Sequence, residues 1–536
     1  MPSYNIGLDF GTTNSIISYL TSNGELEAFP YPAPDGPKYI ASFIAYHSDG
    51  YIEIGAPART AAAHDKSVET YGNFKMRLPL PESEFSQHFP PKQTPISVTI
   101  DYLRELLISS ENPYSFSKEK GEIASLVVSV PEIWQHDIYN LGRQRLQELI
   151  QKDLGLEKQL IQLVSEPVAA AAYYAWEIQR RAKEDDTQSF SGNLLVCDMG
   201  GGTFDVSLCR IYADNKIEVL YFDGQGDKGL ESAGVAFDSR ILQQAYTKKC
   251  GKPLDENSQE FISLLKEFES VKISSHTKAT RTLTNYLNAP DDKAGDEIYK
   301  FSGYTVTLAE VNDAFTSIAF GIEKVITKVK EYTETVGLNI DRVFMVGGFC
   351  QFLLVQKAIT DALKMSKNDY RIDKTFNITN SAYAISYGAC LIANGLVAPI
   401  EKYIHTIGII LETIQIYTGE RERLEITLIQ GGSSLDSLAQ PNFYAREVIP
   451  VEKRIAITLW VQLQSKGKKH QDSLQDMIDL PNYSPNAKYR VGMKVDRSQI
   501  AYLIIEETRS GKFVEYTLGD IIAKMFPGLV LNDEGK

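Results

Sequence analysis

A short plan appears twice in this chain of 536 residues. Ile6-Gly7-Leu8-Asp9-Phe10-Gly11-Thr12-Thr13-Asn14 runs from an apolar stretch to an Asp, then into a turn of small residues. Val196-Cys197-Asp198-Met199-Gly200-Gly201-Gly202-Thr203-Phe204-Asp205 repeats it. Each turn leads into another β-rich stretch, at 15–20 and 206–211. Two strand–turn–strand units, each with a carboxylate at the mouth, predict two lobes facing one ligand. Glycine lets backbone N–H groups approach a phosphate closely because it has no Cβ. The hydroxyls of Thr12, Thr13 and Thr203 add further hydrogen bonds. A polyphosphate gripped from both sides would lie beside Asp9 and Asp198, whose charges repel it unless a cation intervenes. Magnesium, held mainly through its own waters, is the expected cation. Asp205 is positioned to orient a nucleophilic water or a magnesium water. Either turn alone is as well explained by a tight hairpin that needs glycine; the pair points to a nucleotide. The GxxxxGK[ST] and GxGxxG fingerprints are both absent.

Around these turns, up to about residue 398, β-rich stretches at 6–8, 125–130, 194–197 and 342–346 alternate with helical ones. This alternation predicts an α/β architecture. Phe261, Leu265, Phe268 and Val271 form one stripe of a helix over 258–274. Thr307 and Glu310 have capping-box spacing ahead of a long helix to about Thr335. Ser165, Pro167 and the alanines at 169–172 read as a capped helix start packing on a sheet. Glu166 beside them is equally a carboxylate favoured by the helix dipole. Gly347-Gly348, between the stretch at 342–346 and a helix from about Leu353, lets a flat ring or phosphate reach the backbone. A plain strand–helix turn explains it equally. Lys75, in Asn73-Phe74-Lys75-Met76-Arg77, reads by itself as a solvated lysine.

After about residue 399 the pattern becomes strict alternation. Ile455, Ile457, Leu459, Val461 and Leu463 form one set, and Tyr489, Val491, Met493 and Val495 another. Turn-like Lys466-Gly467-Lys468 and Asp496-Arg497-Ser498 lie between such segments. A small antiparallel β-sandwich over 399–536 is the expectation. The net charge of −14 argues against nucleic acid and against an anionic membrane surface. No apolar run is long enough to span a bilayer, and no signal peptide is evident. Five scattered cysteines and seven histidines show no metal-ligand spacing and suit a reduced, cytoplasmic protein.

Asp9-Phe-Gly-Thr-Thr-Asn-Ser, Ser165-Glu-Pro-Val-Ala-Ala-Ala, Asp198-Met-Gly-Gly-Gly-Thr-Phe-Asp-Val-Ser and Val346-Gly-Gly, in this order, resemble the heat shock protein 70 chaperones of the actin-like ATPase superfamily. The resemblance covers about 1–398 and implies a duplicated, ribonuclease-H-like core. Lobe I would take in about 1–190 plus the last helix, and lobe II about 191–375. It implies ATP or ADP with Mg2+ as ligands. Asp9, Gly11, Thr12, Thr13 and Asn14 would form the first phosphate loop, and Gly200, Gly201, Gly202 and Thr203 the second. Lys75 is similar to the lysine at the γ-phosphate and the attacking water. Glu166, Asp198 and Asp205 are similar to the carboxylates around metal and water. Glu269 and Lys272, with Ser274 or Ser275 beside them, resemble the nucleoside clamp. Gly234 stands in a weakened form of a phosphate-side turn.

Departures accompany the likeness. After Gly347-Gly348 this chain has Phe349-Cys350-Gln351 where the family usually has Ser-Thr-Arg, so Gln351 brings no guanidinium plane to the base. That form is closer to divergent members. Ala382 stands where an Asp is expected before Tyr387-Gly388-Ala389. The segments 443–463 and 488–507 resemble strands of the family's peptide-binding domain. The acidic, leucine-rich linker is not recognisable around 400–406, and about thirty residues after the last strands are too few for a helical lid. The resemblance implies a slow ATPase coupled to unfolded or extended polypeptide, with J-domain and nucleotide-exchange partners. An ATP-bound scaffold or co-chaperone with little or no hydrolysis is the alternative. A small-molecule kinase is third, since no sugar-site signature is apparent.

Overall fold

A computed structural model describes residues 2–525 apart from 33, 66, 90–91, 136–140, 158, 188, 214, 226–232, 257, 367, 374–377, 415–420, 451, 463–468 and 474–476. Lys466-Gly467-Lys468 and Leu463 therefore lie outside the described residues. The chain divides into two compact units: Met1–Ile133 with Leu149–Pro399, and Trp134–Glu148 with Ile400–Lys536.

The first unit contains the repeated plan as two hairpins. In one, Ser3–Phe10 pairs antiparallel with Asn14–Leu20, and Phe10 faces Ser15 across the turn. In the other, Gly192–Met199 pairs antiparallel with Phe204–Ile211, and Met199 faces Phe204. Each hairpin has a parallel neighbour beside its first strand. Glu122–Val130 brings Ser129 opposite Asp9, and Arg342–Val346 brings Val346 opposite Asp198. The sheets extend to six and five strands. Both aspartates thus sit at the C-terminal ends of parallel neighbours, where α/β sheets bind ligands.

The helices follow the sequence signals with one exception. Thr307 and Glu310 make a reciprocal capping box on Leu308–Val336. Ser258 accepts from the amide of Phe261 at the start of Gln259–Ser274. Ser165 occupies the N-cap of Glu166–Glu184, but its side chain makes no capping hydrogen bond. The alanines at 169–172 are fully buried, and they meet the helix Ile378–Ala393 as well as the sheet. A Cβ on Gly388 would lie 1.7 Å from the Ala169 carbonyl oxygen, and one on Gly7 would lie 2.2 Å from the Cys390 nitrogen. Small residues let two helices and a strand cross at backbone contact. A large apolar core fills the half that carries Gly192–Met199, built on Phe237, Phe268, Leu308 and Ile322.

In the second unit, Arg421–Ile429, Thr406–Ile414, Thr458–Gln462 and Lys469–Ser473 form one four-stranded antiparallel sheet. Asn442–Phe443, Tyr489–Val495, Ala501–Glu507 and Phe513–Thr517 form another. Tyr489, Val491, Met493 and Val495 all point into one core together with Ile457, Leu459 and Val461. The alternating run from Ile455 is not one strand. Arg454–Ile455 pairs with Ile478–Asp479, whereas Thr458–Gln462 pairs with Thr406–Ile414. The break leaves the apolar alternation intact, because both pieces face the same core. Asp496 closes the turn after Tyr489–Val495, its carboxylate accepting from the amides of Ser498 and Ile500. Among the described residues no helix is long and apolar enough to cross a membrane.

The crossing at Gly388 generates a stability prediction. Gly388→Val is expected to lose about 3 kcal/mol or more, because the intruding atoms meet backbone that cannot yield. Gly295→Ala, where an added Cβ meets nothing within 4 Å, is expected to stay within about 0.5 kcal/mol of wild type. Urea unfolding of the two variants measures the difference; equal midpoints would contradict the crossing.

Candidate functional site

The two Gly/Thr turns meet. A Cβ on Gly201 would lie 2.7 Å from Thr13 Cγ2, and one on Gly202 would lie 2.7 Å from Thr12 Oγ1. Any larger residue at either position would collide with the opposing turn. Each turn is braced from behind. Ser42 donates from its hydroxyl to the Gly11 carbonyl at 2.7 Å and from its amide to Thr13 at 2.9 Å. Gly234 and Val235, at the start of the helix Gly234–Cys250, donate their amides to the carbonyls of Gly200 and Gly201 at 3.2 and 2.9 Å. The Gly234 amide therefore ties down the second turn. Gly347 follows Val346 with φ +86°, a left-handed conformation, and a Cβ there would lie 2.5 Å from Asp198 Oδ1. Above Gly200 and Gly348 the space is open, with nothing within 4 Å of an added Cβ.

Charged groups converge beside the turns. Lys75 is 1 % exposed, which corrects its reading as a solvated lysine, and its Nζ donates to Glu166 Oε1 at 2.5 Å. It also lies 5.6 Å from the Phe10 ring centre. Asp198 and Asp205 are buried, and Thr203 Oγ1 donates to Asp205 Oδ2 at 2.5 Å. Asp9 keeps part of its surface open, yet protein surrounds it closely enough to raise its pKa to about 7. Desolvation is the main cause and the Glu166 charge adds to it, while Lys75 and a hydrogen bond from Ser129 at 3.0 Å oppose it. Asp198 is pushed well above the usual carboxylate range by burial and by the charges of Glu166, Asp205 and Asp9.

The residues expected around a nucleoside are turned toward protein partners. Lys272 Nζ lies 2.6 Å from both carboxylate oxygens of buried Asp238, and 5.2 Å from the Phe349 ring centre. Burial raises Asp238 to about 6 against the pull of Lys272. Glu269 is 3.7 Å from Arg59, which itself reaches the Thr13 carbonyl at 3.4 Å. Ser275 Oγ donates to the Val271 carbonyl, and Gln351 Nε2 donates to Ser381 Oγ at 3.4 Å. Phe349 stacks on Phe352. Sequence reasoning missed the supporting roles of Ser42, Arg59, Ser129 and Asp238. Ser129 was open to discovery, since a parallel strand beside the first hairpin places one residue opposite Asp9. The others act through long-range packing that leaves no local pattern.

Comparison with known proteins adds a separate line. The family model described as Hsp70 protein matches residues 107–403, more than half of the chain. The chain belongs to the heat shock protein 70 family. It is similar to chaperone protein DnaK of Thermosipho melanesiensis, 25 % identical over 378 residues, covering 68 % of this chain and 56 % of that protein. It is also similar to chaperone protein DnaK of Thermotoga neapolitana, 26 % identical over 366 residues, covering 66 % and 54 %. The chain spans little more than half the length of these relatives. Membership of the heat shock protein 70 family implies the two-lobed, actin-like α/β fold, and the paired hairpins accord with it.

Among the described residues no group of three or more His, Cys, Asp or Glu is arranged to grip a metal directly. Asp9 and Asp198 nonetheless suit a hydrated divalent cation. Both are crowded by like charge, and a cation joined through water would relieve that crowding.

The same crowding predicts a pH dependence. Folded Asp9 keeps its proton to about pH 7, whereas an unfolded Asp releases it near the ordinary value of 3.8. Between these values the native protein binds more protons, so stability falls as pH rises through them. Asp9→Asn, measured by calorimetry at pH 7.5 without nucleotide or divalent cation, is expected to melt about 2 °C or more above wild type. It should also show a flatter decline from pH 4 to 7. An unchanged slope would refute a strained carboxylate at this position.

Proposed function

We propose that this protein is an ATP-driven chaperone switch that grips and releases extended polypeptide. The observation that supports this most is the meeting of two Gly/Thr turns, from opposite halves of the unit, beside the buried Lys75–Glu166 pair and Asp198. Backbone amides of Gly11, Thr12, Thr13 and Asn14 on one side, and of Gly200, Gly201, Gly202 and Thr203 on the other, would hold the phosphates. Gly347 and Gly348 would border the nucleoside. Asp9 and Asp198 would hold Mg2+ through its waters. The ion would neutralise charge on the phosphate oxygens.

The remaining chemistry belongs to the chain. Lys75 brings positive charge to the terminal phosphate and to the attacking water. Glu166 fixes the lysine, and Asp205, fixed by Thr203, orients the water. Positioning and charge stabilisation of this kind carry phosphoryl transfer. The strands of 399–536 would form a β-sandwich, since two antiparallel sheets share one core. That sandwich would bind unfolded or extended polypeptide, with a J-domain protein and a nucleotide-exchange factor as partners in the cytoplasm. Coupling requires that nucleotide and polypeptide each favour one of two states. The engagement of Lys272, Glu269 and Gln351 by protein partners favours a second reading, an ATP-bound scaffold that turns over little.

Single-turnover hydrolysis of radiolabelled MgATP distinguishes them. Wild type is expected to release phosphate, and Lys75→Ala and Asp198→Ala to be slower by about 100-fold or more. Binding without turnover in wild type would leave the scaffold. Turnover that survives both substitutions would remove these residues from the reaction.

A further inference from the structure

One carboxylate ties together three of the pieces that border the cleft. Asp238 lies near the start of the helix Gly234–Cys250, one turn beyond the Gly234 and Val235 amides that hold the Gly200 and Gly201 carbonyls. It is buried, and both of its oxygens lie 2.6 Å from Lys272 Nζ, in the last turn of the helix Gln259–Ser274. The same ammonium lies 5.9 Å from the Phe237 ring centre and 5.2 Å from that of Phe349, which follows Gly347-Gly348. The second glycine turn, the helix with Lys272 and the Gly347-Gly348 turn thus converge on a single ion pair. An ammonium has three N–H donors. Two aimed at one carboxylate fix the direction of the third, and the two rings limit the swing of the chain. The Lys272 side chain keeps 16 % of its surface exposed, so a ligand can still approach it.

We propose that Asp238 is a positioning residue for nucleotide binding: it does not touch the ligand, but it holds the Lys272 ammonium where a hydroxyl of the nucleoside sugar accepts the remaining N–H. The inference rests on the nucleotide reading given above and adds to it a residue outside the contacts proposed there. Stability alone is a poor reason for this pair, because burying two charges costs about as much as their attraction returns. Burial raises Asp238 to about 6, with Lys272 opposing and the Glu269 charge adding to the rise. Tyr299, on the strand Glu297–Phe301, faces the same carboxylate from the other side. Below about pH 6 the carboxylate takes up a proton and the charge that aims Lys272 is lost. A ligand that uses the aimed ammonium therefore favours ionised Asp238, so its affinity is full above this value and falls as pH drops through it.

Filter binding of radiolabelled MgADP to the full chain at high dilution tests the proposal, with wild type beside Asp238→Asn, Asp238→Glu and Lys272→Met. Titration of the nucleotide phosphates and of Asp9 is common to all four proteins, so the readout is the ratio of wild-type to variant affinity. Wild type is expected to bind about tenfold or more tighter than Asp238→Asn at about pH 7.5, and that ratio to shrink by about threefold or more at about pH 5.5. Lys272→Met is expected to match Asp238→Asn, and Asp238→Glu to recover part of both the affinity and its pH dependence. If Asp238→Asn does not fold, Lys272→Met supplies the reference for the same ratio. A ratio that stays constant or grows as pH falls would overturn the inference and leave the nucleotide reading standing. Lys272→Met binding as tightly as wild type would do the same. Failure of wild type to bind MgADP at either pH would overturn the inference and the nucleotide reading together.

Discussion

Main chain meeting main chain, with no side chain between, is the constraint on which the first unit depends. Gly388 lies against Ala169, and Gly7 lies against Ser386 and Cys390. These contacts bring the helix Ile378–Ala393 onto both the first hairpin and the helix that starts at Glu166. Glu166 and Asp9 are therefore carried by elements locked to a common crossing. At the turns main chain meets side chain instead, since Gly201 and Gly202 can meet the Thr13 and Thr12 side chains only because they lack a Cβ. Interiors this close behave as rigid bodies with few alternative packings.

Rigid placement makes the charge arrangement tolerable. Burial, and after it the charges of neighbouring carboxylates among Asp9, Glu166, Asp198 and Asp205, raise the pKa values of Asp9 and Asp198, with Lys75 opposing. Such a set is unfavourable for the fold by itself. Lys272 shows the opposite economy, since both oxygens of buried Asp238 already lie 2.6 Å from its ammonium.

Much of the first unit was legible because its signals are local. A strand, an Asp and a glycine turn make a hairpin wherever they occur, and Thr307 with Glu310 caps a helix without help from the rest of the chain. Strict alternation at Tyr489–Val495 likewise reports one buried face. The misses share another cause. Lys75 was open to two readings because nothing near it in sequence says that Phe10 and Glu166 will enclose it. Ser165 is a good cap residue by composition, yet its hydroxyl makes no cap bond. The run from Ile455 changes sheets without any break in its apolar period. The partner of Lys272 is 34 residues away.

Trp134–Glu148 belongs with the C-terminal strands, although the residues on either side of it belong to the first unit. Within the second unit, Arg143 is fully buried and donates to the Ser498 carbonyl at 3.0 Å, and Gln147 donates to Asp496 at 3.1 Å. The chain therefore passes between the units three times. A cut near Pro399 would not yield two whole pieces. One would keep a guanidinium stripped of its carbonyl, and the other would lose a strap from its core. The two units are separable as compact bodies but not as genes, and recombination or proteolysis at the apparent boundary would damage both.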